Sequence, residues 1–139
     1  AGPMAAMRLM RLCHPYLRDG GVIINVSAGV AKGAAVPNRV AYAMVKSALD
    51  ALGRAAAMEW ARDGIRVNTI YPLARTGAFE AFEQREPEMA AGVVANVPLG
   101  RIGDCETDIG RACVFLAGPD SGYLTGTILP LDGGVAHLR

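Results

Sequence analysis

Met4, Met7, Arg8, Arg11 and the run from Cys13 to Leu17 set apolar and basic side chains at near-helical spacing, predicting a first helix. It stops at Asp19-Gly20-Gly21, where a glycine can take the left-handed conformation that closes a helix. Residues 22–26, Val-Ile-Ile-Asn-Val, are β-branched with little alternation, as expected of a parallel strand covered on both faces. After a loop with Gly33 and Pro37, residues 40–61 form the longest periodic stretch. There Val45, Leu49, Leu52 and Ala56 mark the face expected to be buried. Asp63-Gly64 ends that helix, and Ile65 to Tyr71, closed by Pro72, reads as a second strand. Strand, helix and strand make a βαβ unit, whose right-handed crossover sets the strands parallel with the helix over one face.

Residues 75–97, rich in Glu, Ala and Met and carrying Pro87, predict one or two short helices outside the sheet, a place where insertions act as substrate-loop lids. Asp104 is a candidate N-cap for a helix with Ile109, Ala112, Cys113 and Leu116 on one face, stopped by Gly118-Pro119. Thr127 to Leu131 reads as the last strand. Pro130, lacking a backbone donor, assigns it to a sheet edge. Strand and helix alternate throughout, which is the α/β pattern of one domain without repeats or linkers.

Composition narrows the function classes. Fourteen basic against thirteen acidic side chains, with no basic stripe, argue against a nucleic-acid partner. Cys13, Cys105 and Cys113 have neither the even count of a disulfide framework nor zinc-ligand spacing, so a reducing cytoplasm is expected. No apolar run approaches the roughly 20 residues of a membrane helix, and no signal-peptide pattern opens the chain, so no membrane partner is expected. His14 and His137 lack companions at ligand spacing, so no metal site is expected. A 52% hydrophobic content and a mean hydropathy of +0.25 suit extensive burial, some of it between subunits. The opening Ala1-Gly2-Pro3, without an initiator methionine, reads as the start of a cut piece.

The chemistry-bearing candidates are Tyr42 and Lys46, four apart near the start of the long helix and so one turn apart on one face. An ammonium beside a phenol favours the phenolate, and such a pair can pass a proton to or from a carbonyl or alcohol oxygen. The same spacing also describes an ordinary surface pair. With twelve arginines and only two lysines, Lys32 and Lys46, the choice of lysine here carries weight, because the two cations differ in size, hydration and ease of titration.

The run AYAMVKSALDALGRAAAMEWARDGIRVNTIYP closely resembles the stretch of short-chain dehydrogenases/reductases that holds the catalytic Tyr and Lys, the central helix, the I-R-V-N strand and the following Pro. GYLTGTILPLDGG resembles that family's terminal strand and tail, and GGVIINVSA the strand ending in its catalytic serine. The matches follow family order across essentially the whole chain. The resemblance implies the carboxyl-terminal part of one Rossmann-like doubly wound parallel sheet, residues 1–139, with three distal strands and flanking helices. It implies an oxidoreductase using NAD or NADP to interconvert a small-molecule carbonyl and an alcohol. Tyr42 is then the acid/base, Lys46 tunes it and holds the nicotinamide ribose, and Pro72, Leu73 and Thr76 lie near the carboxamide. Asn68 is assigned a structural role, and homodimers or homotetramers are implied through the first and long helices.

Four departures qualify the transfer. The Gly-rich pyrophosphate turn is absent from these residues, and the family's relay asparagine would precede Ala1. Ser27-Ala28 stands where the family has Ser-Ser, so Ser27 is either a substitute catalytic hydroxyl, provided the strand has already turned into loop there, or a cap of the strand end. Leu73 replaces a glycine, and Thr76 sits one place early. These departures leave a second reading, a non-catalytic fragment or oligomerising module of the same origin. Trp60 is expected to pack the long helix on its neighbour, and Glu80, Glu83, Glu86 and Glu88 to form a solvated face.

Overall fold

A computed structural model describes residues 2–29 and 39–136. Lys32, Gly33, Pro37 and His137 lie outside the described residues. Helix α1 (Pro3–Leu17) leads to strand β1 (Val22–Val26), helix α2 (Val40–Trp60) and strand β2 (Arg66–Pro72). The short helices α3 (Gly77–Arg85) and α4 (Pro87–Ala95) follow, then α5 (Arg111–Ala117) and strand β3 (Ile128–Leu131). The strands form a parallel sheet in the order β1, β2, β3, with Val22 opposite Arg66 and Thr69 opposite Ile128. Both crossovers, through α2 and through α5, match the alternation in the sequence.

Side-chain alternation along β2 divides its neighbours. Val67, Thr69 and Tyr71 face α2, and Val67 joins Met10 of α1, Ala56, Ala57 and Ile65 in a buried cluster closed by Leu17, Ile23, Leu52 and Trp60. Arg66 and Asn68 face the other way. Arg66 donates to the Ser121 hydroxyl and the Gly118 carbonyl at the end of α5. Asn68 donates to the Leu124 carbonyl and accepts from the Thr127 N–H, tying β2 to the entry of β3 as expected of a structural asparagine. With helices on both faces, every residue from Val67 to Tyr71 is buried.

Two expectations are corrected. β1 is less deeply buried than expected: only Asn25 is buried, Val22 to Ile24 are half-buried and Val26 is 53% exposed, whereas β2 is buried from Val67 to Tyr71. The innermost residues of α2 are Asp50, Gly53, Ala56 and Ala57, so that Ala56 is buried as expected, with Lys46 partly covered. Val45 is exposed, and Leu49 and Leu52 are only half-buried. A helix lying close on a sheet presents its small residues to the backbone beneath, so the bulkiest stripe is turned aside toward α1.

The turn after α1 also differs in detail. Gly20 takes a positive φ of 129° as expected of a closing glycine, and Asp19 does so too at 64°, its N–H donating to the Asp63 carbonyl. Pro130 lies on edge strand β3, and Asp104 caps the turn before α5 by accepting from the Glu106 and Thr107 N–H groups, both as predicted. Trp60 packs on α1 through the His14 ring, 4.8 Å between centroids, and His14 is partnered by Asp63 at 3.0 Å.

Candidate functional site

Tyr42 stands on the first turn of α2 with its ring 42% exposed. The Lys46 ammonium lies 5.5 Å from the centroid of that ring, and the Arg39 guanidinium 6.0 Å from it, so two cations face one phenol ring. Lys46 Nζ also donates to the Val26 carbonyl at 3.0 Å, which anchors the ammonium at the carboxyl end of β1. The lysine thus ties the helix to the strand end while sitting over the tyrosine.

β1 ends at Val26, so Ser27 is already outside the strand. Its N–H donates to the Ile70 carbonyl at 2.9 Å and its hydroxyl to the Lys46 carbonyl at 3.3 Å, and it is buried. Those bonds stitch the strand end to β2 and α2. Ser27, Lys46 and Tyr42 are therefore gathered at the carboxyl ends of the parallel strands, where open α/β sheets place their ligand crevices.

Pro72 and Leu73 leave β2 on the same side of the sheet. The Leu73 N–H donates to the Leu131 carbonyl, and its own carbonyl accepts from Gly103, so both backbone groups are committed within the protein. The Leu73 side chain lines a cavity of about 650 Å³ shared with Pro98, Leu99, Leu131, Gly133 and the Arg101–Asp108 pair. Among the described residues Tyr42, Lys46 and Ser27 do not line it. Thr76 caps α3, accepting from the Phe79 N–H at 3.3 Å and keeping its own O–H free to donate.

The sequence reading missed a second polar group directly beneath. The Tyr71 hydroxyl donates to Asp50 Oδ2, both residues being buried. Burial first, and then the hydrogen bond to Asp50, raise the Tyr71 pKa well above its ordinary value. Asp50 follows Lys46 by four residues and so shares its face, which is the signal that could have found it. Elsewhere Arg101 holds Asp108 in two hydrogen bonds, which together with the Asp104 N–H push that carboxyl far below the usual range. Arg75 likewise holds Glu83, so that glutamate is a paired member of an otherwise solvated face.

For a nicotinamide cofactor, the residues of suitable chemistry are Lys46 and Tyr42, an ammonium and a hydroxyl that could hold a ribose, and Thr76, whose O–H could donate to an amide. The sequence of these 139 residues contains no T-G-x-x-x-G-x-G pattern. Among the described residues no helix is long and apolar enough to cross a membrane, and no cluster of metal-ligating side chains is present.

Comparison with known proteins follows the same lines. Residues 4–136 match the family model described as enoyl-(acyl carrier protein) reductase. The chain is 41% identical over 138 residues to a 12alpha-hydroxysteroid dehydrogenase of Clostridium sp., covering 99% of this chain and 53% of that protein. It is similar to the crystal structure of a putative short-chain alcohol dehydrogenase from Sinorhizobium meliloti, with a TM-score of 0.84, 34% identity, and coverage of 94% of this chain and 52% of that one. It is also similar to the Pseudomonas aeruginosa RhlG/NADP active-site complex, with a TM-score of 0.87, 26% identity, and coverage of 96% and 54%. The chain spans about half the length of the curated relatives it matches.

Proposed function

The chain belongs to the short-chain dehydrogenase/reductase family, and from that premise we propose that it supplies the acid/base half of an NAD- or NADP-dependent oxidoreductase interconverting a carbonyl and an alcohol. The observation that carries the reading is the Tyr42 ring, half-open to solvent, with the Lys46 ammonium over it at the carboxyl ends of two parallel strands. A nicotinamide held beside Tyr42 and Lys46 would supply the hydride acceptor or donor. In the reducing direction Tyr42 gives its hydroxyl proton to the substrate oxygen as charge develops there, and in the oxidising direction it takes that proton back. Lys46 keeps positive charge beside the phenol, and its bond to Val26 fixes where that charge lies. In this reading the same ammonium would hold the ribose, with Leu73 and Thr76 near the carboxamide. Relatives described as a complex with NADP and as a hydroxysteroid dehydrogenase support the cofactor and the reaction class.

Ser27 is the residue we assign to orient the substrate oxygen, since it lies beyond the strand and beside Lys46. Its hydroxyl points at the Lys46 carbonyl, and Ala28 follows it without one. These two facts favour the second reading, a module that keeps the fold and its oligomerising helices without turnover. Residues 75–97 are proposed as the substrate lid, and a second copy of the chain as the partner of α1 and α2.

Tyr42→Phe decides between the readings. In the longer protein proposed to carry this chain, loss of only that hydroxyl is expected to lower turnover on the order of 10²- to 10⁴-fold with folding unchanged. Steady-state rates at saturating cofactor measure it, and a variant within about threefold of the parent would remove Tyr42 from the reaction.

A further inference from the structure

α2 is tied to the carboxyl ends of the strands by hydrogen bonds of unequal shelter. The Lys46 ammonium donates to the Val26 carbonyl at 3.0 Å, and the Ser27 hydroxyl donates to the Lys46 carbonyl at 3.3 Å. A third bond runs from the Tyr71 hydroxyl on β2 to Asp50 Oδ2. The first is exposed and the second partly so. The third is sealed from water, with Tyr71 1% and Asp50 3% exposed. Neither Asp50 nor Tyr71 has a part in the proton transfer assigned to Tyr42.

The spacing puts this buried bond on the side of the helix that carries the chemistry. Asp50 follows Lys46 by four residues and Tyr42 by eight, so the three side chains step along one side of α2 at about 6 Å per step. Around Asp50 the inner surface of α2 is made of Gly53, Ala56 and Ala57. Contacts between such small groups are close but have no direction, and no bulky side chain among them interlocks with the sheet. A hydrogen bond to a carboxylate is directional and stronger than a neutral one, so it selects one placement of the helix along the strands. Tyr71 also sits where it can set that placement for the whole site. It follows Ile70, whose carbonyl accepts from the Ser27 N–H, and its ring lies against Gly29, where a Cβ would be 3.9 Å from Cδ2. One phenol thus meets both the helix of Tyr42 and Lys46 and the segment that follows Ser27.

We infer that Asp50 and Tyr71 are positioning residues for the proposed reaction. Their bond holds α2 at the depth and register at which Lys46 Nζ meets both the Val26 carbonyl and the Tyr42 ring, 5.5 Å from its centroid. Neither side chain touches substrate. Without the bond the helix relaxes along its smooth contact and carries Lys46 and Tyr42 with it. A misplacement of about 1 Å at a reacting group is enough to cost on the order of 10²-fold in rate. The kinetic consequence rests on the acid/base reading of Tyr42, whereas the placement of Lys46 is independent of activity.

In the longer protein proposed to carry this chain, Tyr71→Phe is expected to lower kcat roughly tenfold or more at saturating cofactor, with the substrate KM within about threefold of the parent. Circular dichroism establishes that the variant is folded under the assay conditions. Asp50→Asn keeps an oxygen that accepts from Tyr71 and is expected to retain kcat within about threefold. A crystal structure of Tyr71→Phe is expected to show Lys46 Nζ more than about 3.5 Å from the Val26 carbonyl. A folded Tyr71→Phe with parental kcat, or with a loss confined to KM, would overturn the inference. So would an Asp50→Asn as slow as Tyr71→Phe, because the charge and not the bond would then matter. Should Tyr42→Phe leave turnover unchanged, the acid/base reading fails by itself and the Tyr71→Phe crystal decides: an intact Lys46 bond to Val26 refutes the positioning role, and a broken one upholds it. Should Tyr71→Phe not fold, Asp50→Ser, whose shorter arm falls short of the phenol, takes its place in each measurement.

Discussion

At the scale of single residues, the contrast between Tyr42 and Tyr71 is instructive. Both are phenols within reach of α2, yet one is half-exposed under cations and the other is sealed against a carboxylate. Tyr71→Phe would remove the hydroxyl from which buried Asp50 Oδ2 accepts, a loss expected to cost about 1–3 kcal/mol. Chemical denaturation measures it. The raised Tyr71 pKa has a pH consequence as well. A phenol that titrates higher in the folded than in the unfolded state contributes stability that is intact below the unfolded value near 10 and is lost as pH rises beyond it. The parent should therefore lose stability above roughly pH 10 more steeply than Tyr71→Phe, and parallel alkaline limbs in the two proteins would contradict this. Tyr42 was legible from its spacing to Lys46. Tyr71 was not, because a tyrosine in a β-rich run looks the same whether its hydroxyl meets water or a carboxylate.

At the scale of elements, α2 is the organising piece. It lies close to the sheet because Gly53 offers no side chain toward Asn25 and Thr69. Gly53→Leu would drive a full side chain into that contact and is expected to destabilise by about 1–3 kcal/mol or more, seen as a lowered Tm. The outer surfaces of the two long helices tell a different story. Met4, Leu9, Leu12 and Tyr16 on α1, and Met44 and Met58 on α2, are largely exposed. Exposed apolar side chains concentrated on neighbouring helices favour self-association, so sedimentation should show a dimer or larger species, and Leu12→Arg should shift it toward monomer. An unaltered protein that stays monomeric at micromolar concentration would refute the interface. The periodicity located α2 correctly, and of Val45, Leu49, Leu52 and Ala56 it is Ala56 that is buried, with Leu49 and Leu52 half-buried and Val45 exposed. Hydrophobicity ranks side chains by transfer from water, whereas a close helix-to-sheet contact selects for small volume.

At the scale of the whole molecule, the described sheet has three strands, and the residues proposed to meet a cofactor, Tyr42, Lys46, Leu73 and Thr76, would hold only its nicotinamide end. Holding a dinucleotide by Lys46 and Thr76 alone means a few hydrogen bonds of about 1 kcal/mol each, too little to offset the cost of ordering it. The 139 residues by themselves are accordingly expected to show no micromolar binding of NADH or NADPH in isothermal titration, and such binding would mean that the chain holds a complete site. The sequence by itself determined the order of strands and helices, their parallel sense and the Tyr42 and Lys46 pair, because periodicity, glycine and proline punctuation and i,i+4 spacing are local properties of the chain. Only the tertiary structure decided which strand is most deeply buried, which line of α2 is innermost, and that Asp50 and Tyr71 meet beneath it. Those outcomes depend on which surfaces touch across long stretches of chain, and burial and hydrogen-bond partnership exist only once the layers have packed.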